Sequence, residues 1–340
     1  MAQRIKPTSI RLEASSFCQL RCPSCPTTTR AIHPAVGSGT LDLESFRRLL
    51  DSAPDVKSIE LSNYGEIFLN AQLLPILELA HARGVTLSAA NGVNLNHVRE
   101  EVLEALVKYG FERMTCSIDG ASAETYRIYR VSGDFDRVIG NIRKLNAFKK
   151  KYGVDKPKLH WQFVVFGHNE HEIADARRLA RELDMELRLK ISWDDTFSPI
   201  RNKEYVRKEI GVDAATRDEY RDAHGENYAQ EICHQLWDWP QINWDGKVLG
   251  CCRNFWGEFG GNAFKDGLDA AVNGEGIAYA REMLLGRKPP RDGIPCTTCE
   301  MYISMRDRGR YLQRWDPSLI ARVKNRLRKL GSVLTGRKAA

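Results

Sequence analysis

No stretch of this 340-residue chain is apolar for the roughly 20 residues that a membrane-spanning helix requires. The amino terminus, Met1 to Pro7, carries no apolar core of the signal-peptide kind. Both absences point to a cytoplasmic protein. Internal repeats and low-complexity tracts are also missing, which argues against a solenoid or a disordered scaffold. There is no recognition module and no interleaved aromatic stripe to suggest nucleic-acid binding. Net charge is scarce in the body of the chain. The total is +7, but residues 301–340 hold eleven Lys/Arg against Asp307 and Asp316, so the first 300 residues carry −2. The basic character belongs to the tail, where Ile320, Val323, Leu327 and Leu330 recur at helical spacing. A solvated helix packed on the body is the default for that segment. An acidic partner, anionic lipid or nucleic acid is the alternative.

What remains is an alternation of strand-like and helix-like segments, the pattern of a parallel α/β fold. Strands are expected at Ser9–Ala14, Ser58–Ser62, Thr86–Ala90, Arg113–Ile118, Leu159–Val165 and Glu186–Ile191. Their apolar density suits strands buried on both faces. Helices are expected at Leu41–Leu50, with Thr40 as N-cap, and at Ala71–Ala82, His97–Tyr109, Phe135–Lys151 and Glu170–Leu183. Residues 196–230 are rich in charge and poor in apolar side chains, and read as a bridge.

Nine cysteines in a reducing compartment suggest metal ligands, not disulfides. Three of them, Cys18, Cys22 and Cys25, follow the first strand at spacing C-x3-C-x2-C. Three thiolates from one loop can hold three irons of a [4Fe–4S] cluster and leave the fourth open for chemistry. A zinc knuckle completed by His33 is the plainer alternative. The spacing and its position resemble the signature of the radical S-adenosylmethionine superfamily. The resemblance implies a partial (β/α)6 barrel of TIM type and a cluster that binds S-adenosylmethionine at its open iron. It further implies reductive cleavage to a 5′-deoxyadenosyl radical, which takes a hydrogen atom from substrate. An electron donor such as flavodoxin or ferredoxin goes with it. The position before the third cysteine is often aromatic in the family and lies near the adenine; here it is Ser24, so that contact must come from elsewhere.

Other segments sit where the family places cofactor contacts, at the C-terminal ends of the strands. Gly65-Glu66 resembles the family's Gly-Gly-Glu-Pro motif, although Tyr64 and Ile67 depart from it. Glycine allows close backbone approach, and glutamate offers a charge-assisted bond to the methionine ammonium. Asn91-Gly92 resembles Thr-Asn-Gly, with Ala90 in place of threonine. Ser117 resembles the residue that reaches the ribose or the methionine carboxylate. Asp119 could do the same or cap the next helix. Asn169 is expected as a cap. The pair Asp194-Asp195 could contact a hydroxylated or amino substrate, or form a turn. Cys116, inside the fourth strand, is expected in the core.

Cys233, Cys251, Cys296 and Cys299 form a second set, with Asp245-Gly246 between the first two marking a hairpin. The set resembles the auxiliary-cluster domains called SPASM and its shortened form, twitch. A full SPASM domain would have cysteine where Met305 stands, so four ligands and one further [4Fe–4S] cluster are implied. A structural zinc ribbon is the alternative. If the strand persists through Cys251, alternation sends Cys252 to the opposite face, where its thiol could donate a hydrogen atom. Radical epimerases of the superfamily use a cysteine in this way; a small buried hydrophobe is the other reading.

The chain is thus expected to divide into a barrel over 1–195, a bridge over 196–230, a twitch-like unit over 231–305 and a basic tail over 306–340. Two clusters and S-adenosylmethionine are the implied cofactors. The substrate is expected to be a small polar metabolite (sugar, cyclitol or nucleoside) or a short peptide. The first strand begins almost at once, which implies no leader-binding domain ahead of it and tilts the expectation toward a small molecule. Net oxidation through the second cluster and epimerisation through Cys252 are the two outcomes. A zinc-stabilised protein whose basic tail binds nucleic acid is the alternative of another class.

Overall fold

The computed structural model describes residues 4–313. The amphipathic segment at 320–334 lies outside the described residues. Six parallel strands form in chain order: β1 (Ser9–Leu12), β2 (Ser58–Glu60), β3 (Thr86–Val93), β4 (Arg113–Ser117), β5 (Lys158–Val165) and β6 (Glu186–Ile191). A hairpin of β7 (Gln241–Ile242) and β8 (Val248–Gly250) extends the same sheet. The order across the sheet is β6-β5-β4-β3-β2-β1-β7-β8, open at both edges. This is the expected partial barrel, with one addition. The hairpin does not stand apart from it, because β7 pairs in parallel with β1, Arg11 opposite Gln241 and Leu12 opposite Ile242.

The strands are buried, but their two faces differ. Ile10, Leu12, Ile59, Leu87, Met114, Trp161 and Leu189 point into the main apolar core under the helices. Their neighbours Arg11, Glu60, Ser88, Thr115, Gln162 and Lys190 alternate onto the inner face. A uniformly apolar parallel strand was the expectation; the inner face is polar because it lines a site.

The helix after the cysteine loop runs Leu43–Ser52 and is capped by Asp42, whose carboxylate accepts from Ser45 N–H. Thr40 is not the cap: it forms an isolated bridge with Ser15 two residues earlier. Phe135–Tyr152 ends as expected at Gly153, in the left-handed conformation that glycine tolerates. A short helix at Ala123–Tyr129, capped by Ser122, was not anticipated. The segment expected as a bridge contains helices at Lys203–Ile210 and Arg217–His224.

Ile242 is fully buried in the strand that joins hairpin to barrel. Ile242→Ala should cost about 2–5 kcal/mol, read as a lowered denaturation midpoint. Amide exchange in β1 should accelerate with it; unchanged exchange there would contradict the shared sheet.

Candidate active site

The loop after β1 carries Cys18, Cys22 and Cys25. Cys22 is buried, and the other two are half-buried. The loop is braced from several strands. Gly65, after β2, lies so close to it that a Cβ would meet Ser15 O at 2.2 Å and Phe17 O at 2.6 Å. Its glycine is required by this chain crossing, so the close approach is to the cysteine loop itself. Glu66 is buried, and its backbone N–H donates to Phe17 O at 2.7 Å. Its carboxylate accepts from the N–H groups of Asn94 and Phe68, and burial raises it to about 7. Asn94 in turn directs Nδ2 at Cys18 Sγ, 3.7 Å away.

Asp119 is fully buried, and both its oxygens are engaged within the protein. Oδ2 pairs with Arg130 at 2.6 Å, and Oδ1 accepts from Val164 N–H at 2.8 Å. It does not cap the following helix, because Ser122 does. Arg130, held by Asp119, places Nη1 3.6 Å from Cys22 Sγ. Asn169 does not cap with its side chain either. It bonds Asp119 O, Val164 O and Phe166 N–H, tying the end of β4 to β5. Asn91 donates its backbone N–H to Glu60 and Ser62 and its side chain to Asn63 O. Ser117 is buried beside Gly92, where a Cβ would meet Ser117 Oγ at 2.5 Å. Cys116 lies in the core, as expected.

The acidic pair after β6 divides. Asp194 organises its own turn, accepting from Thr196 and Phe197, and takes the Ser24 hydroxyl proton bond; these bonds lower it to about 2. Asp195 is exposed and within electrostatic reach of Arg217.

The members of the second cysteine set lie within electrostatic reach of one another. Cys296 senses the charges of Cys251, Cys233 and Cys299, and burial raises all four thiols, Cys251 to about 12. Cys299 sits at the N-cap of helix Glu300–Asp307, facing the N–H groups of Met301 and Tyr302, which favour a thiolate. Met305 is buried in the core on that helix. Cys252 requires a correction. The strand ends at Gly250, whose φ of +76° starts a turn, so alternation does not orient Cys252. Gln235 does: its Oε1 accepts from Cys252 N–H at 2.8 Å and its Nε2 lies 3.5 Å from the sulfur. Held there, Cys252 lies within electrostatic reach of Tyr64, after β2, and of Lys190 on β6.

Residues 12–180 match the family model described as the radical SAM superfamily. The chain belongs to that superfamily. It is 27% identical over 187 residues to a GTP 3′,8-cyclase of Desulforamulus reducens, covering 53% of each chain. It is 24% identical over 262 residues to the tungsten-containing aldehyde ferredoxin oxidoreductase cofactor-modifying protein of Pyrococcus furiosus, covering 71% of this chain and 70% of that one. The chain spans about half the length of most of the curated relatives it matches. Among solved structures, Streptococcus suis SuiB bound to S-adenosylmethionine superposes with a TM-score of 0.60 at 15% identity, over 87% of this chain and 71% of that one. BtrN in complex with AdoMet and 2-DOIA superposes with 0.51 at 15% identity, over 88% and 94%. Both cover more of this chain than the family model does, so the shared fold extends past the barrel.

The superfamily implies a [4Fe–4S] cluster and S-adenosylmethionine, and the donor set suits the cluster. Burial raises Cys18 to about 12 and raises Cys22, so these sulfurs ionise only against a cation such as iron. Among the described residues, no three or more His, Cys, Asp or Glu side chains stand close enough together to hold a single metal ion, so the cysteine sets suit a cluster's wider spacing. Sequence reasoning missed Arg130, Asn94 and Gln235. Arg130 lies at the end of the unanticipated helix, and Asn94 and Gln235 belong to no motif. Asp119→Ala leaves Arg130 without its carboxylate and should cost about 3–5 kcal/mol in denaturant unfolding. Adding Arg130→Met should recover part of the loss; no recovery would mean the pair is not coupled.

Proposed function

We propose that this protein is a two-cluster radical S-adenosylmethionine enzyme acting on a small polar metabolite or a short peptide. The observation that carries the reading is the shared mouth. Cys252, next to one cysteine set, lies within electrostatic reach of Tyr64, in the loop after β2, and of Lys190 on β6, in the barrel that carries the other set. Cys18, Cys22 and Cys25 would hold the cluster that binds S-adenosylmethionine, and Cys233, Cys251, Cys296 and Cys299 a second one with no open iron. When bound, the reduced cluster and S-adenosylmethionine supply a 5′-deoxyadenosyl radical that removes one hydrogen atom from a substrate carbon. Arg130 and Asn94 steady the thiolates of the first set by charge and by an N–H bond. Unpartnered buried atoms, Asn63 Nδ2 and Oδ1 and Tyr64 Oη, offer polar contacts for substrate. The neighbours support both substrate classes: SuiB was crystallised with the precursor peptide SuiA, and BtrN with 2-DOIA.

Two fates of the substrate radical fit this mouth. It can give up one electron and one proton, the electron leaving toward the four-cysteine set, for a net oxidation. Alternatively the Cys252 thiol returns a hydrogen atom from the other side, for an epimerisation. The sulfur then regains one electron, from a donor of the flavodoxin or ferredoxin class, and one proton. The second fate is favoured by one contact, the bonding of Cys252 to Gln235, which fixes this thiol beside Cys251 and Cys233.

Anaerobically reconstituted protein should contain about eight irons and little zinc. Replacing Cys18, Cys22 and Cys25 together by Ala should leave about four and abolish S-adenosylmethionine cleavage. Stoichiometric zinc without iron–sulfur absorbance would overturn the proposal.

Cys252→Ala separates the two fates. If its thiol donates, the variant keeps both clusters and 5′-deoxyadenosine formation but loses the epimerised product. In deuterated water the native enzyme then places one deuterium at the inverted carbon. Unchanged product from the variant would rule out the donor and leave oxidation.

A further inference from the structure

Lys190 and Arg217 are two half-buried cations at the mouth without a carboxylate partner. Lys190 Nζ bonds only the neutral Gln162 Oε1, and neither residue forms an ion pair among the described residues. They lie within electrostatic reach of each other, and Lys190 also within reach of Cys252. Arg217 is the first residue of helix Arg217–His224, and its guanidinium lies over the Tyr228 ring, 5.4 Å from the centroid. Its Nε is buried without a hydrogen-bond partner, as are Arg253 Nε and Asn227 Nδ2. The unmatched groups here are donors. Of the nearby acids, Glu300 is paired with Arg253 and Asp119 with Arg130, while Asp195, exposed after β6, is within electrostatic reach of Arg217 but forms no ion pair with it.

Buried cations and orphaned donors are costly unless an acceptor-rich group meets them. We infer that the substrate carries an anionic group, phosphoryl or carboxylate, and that Lys190 and Arg217 receive it at the mouth beside Cys252. The inference rests on the proposed two-cluster reading and names the substrate class for it. Burial lowers both side chains from their ordinary values, aided by Arg217 for Lys190 and by Arg253 for Arg217. A rival account assigns them to balance the negative charge of the second cluster. That role fits Arg253, which senses Cys233 and Cys299 directly. It fits Lys190 and Arg217 less well, because the charged neighbours of the one include Cys252 and Asp119 and those of the other Arg253, Glu300 and Asp195. An anion held by Lys190 would lie next to the Cys252 thiol, so one end of the substrate is fixed while a carbon faces the donor.

The test is calorimetric titration of the reconstituted holoprotein, with S-adenosylmethionine present to fill its own site. The probes are inorganic phosphate and, separately, malonate. Saturable binding of at least one is expected, and the stronger of the two names the group as phosphoryl or carboxylate. Lys190→Met and Arg217→Gln should each weaken that binding by about tenfold to a hundredfold. Lys190→Arg should restore most of it. Iron content and the paramagnetic resonance spectra of both clusters should be the same in the variants as in the native protein. No binding of either anion, or equal binding by native and variant proteins, overturns the inference. Altered cluster spectra in the variants also overturn it, in favour of cluster charge balance. Iron content of the native preparation separates the two levels. About eight irons without anion binding defeats only this inference; absence of iron defeats the reading beneath it.

Discussion

The parallel pairing of β7 with β1 is the contact on which the arrangement depends. Arg11 N–H donates to Pro240 O and Glu13 N–H to Ile242 O, each at 3.1 Å, and Arg11 Nε adds a bond to Gln241 Oε1 at 2.9 Å. One edge of β1 therefore belongs to the barrel and the other to the hairpin. The loop after the first cysteines is then sewn to the hairpin side. His33 N–H donates to Phe255 O, Asn243 Nδ2 to Val36 O, and Lys247 Nζ to Ala35 O. The Trp244 ring fills the space where a side chain at Gly39 would stand. β6 and β8 are the two edges of the sheet, yet Lys190 on β6 senses Cys252 just beyond β8. The two edges of the open sheet thus come within electrostatic reach of each other across the mouth.

The inner face of the sheet is where the fold gives up stability. An all-apolar face would pack at least as well, since a buried charged network rarely outperforms hydrophobic packing. Instead, Glu60 collects bonds from Ser62, Ser88, Ala90 and Asn91, and Glu13 accepts from Tyr64 N–H. Glu60 is satisfied in this way, but Glu13 Oε2, Thr115 Oγ1, Asn63, Tyr64, Arg217 and Arg253 hold buried atoms without partners. A polar inner face with several unmatched groups marks where a ligand belongs better than any single residue does.

Much of this was legible in the sequence because strand–helix alternation and cysteine spacing are local patterns. The six barrel strands fall close to their expected positions, and the hairpin turns at Asp245-Gly246 as the dipeptide suggested. The failures were of other kinds. Thr40 and Asp42 are both good caps, and only tertiary pairing of Thr40 with Ser15 decides between them. Alternation at Cys252 failed because Gly250 is compelled into positive φ, where a side chain would strike the Phe259 ring. The inner-face cations were invisible because Arg217 lies in a charge-rich segment that looked like solvated linker. A helix folded over the mouth and a helix exposed to water have the same composition when the mouth itself is polar.

Ser24 shows how one local departure is absorbed by long-range structure. An aromatic ring at this position would project from the cysteine loop. Serine is small enough to let the loop after β6 close on it. The Ser24 hydroxyl donates to Asp194, and Trp193 Nε1 donates to Ser24 O at 3.3 Å. Ring surface is then supplied from other elements: Tyr129 contacts Phe166 at 4.6 Å, Phe197 at 5.5 Å and Trp193 at 6.3 Å between centroids. Tyr129 and Phe166 pack with Leu20, Cys22 and Val164 in a small cluster separate from the main core. The cysteine loop thus rests on aromatic side chains contributed by a helix end and two strand ends, not on one of its own. Because these rings come from distant parts of the chain, the loop can hold its shape only after β4, β5 and β6 are assembled. A motif that is contiguous in sequence is, in its support, among the least local features of the fold.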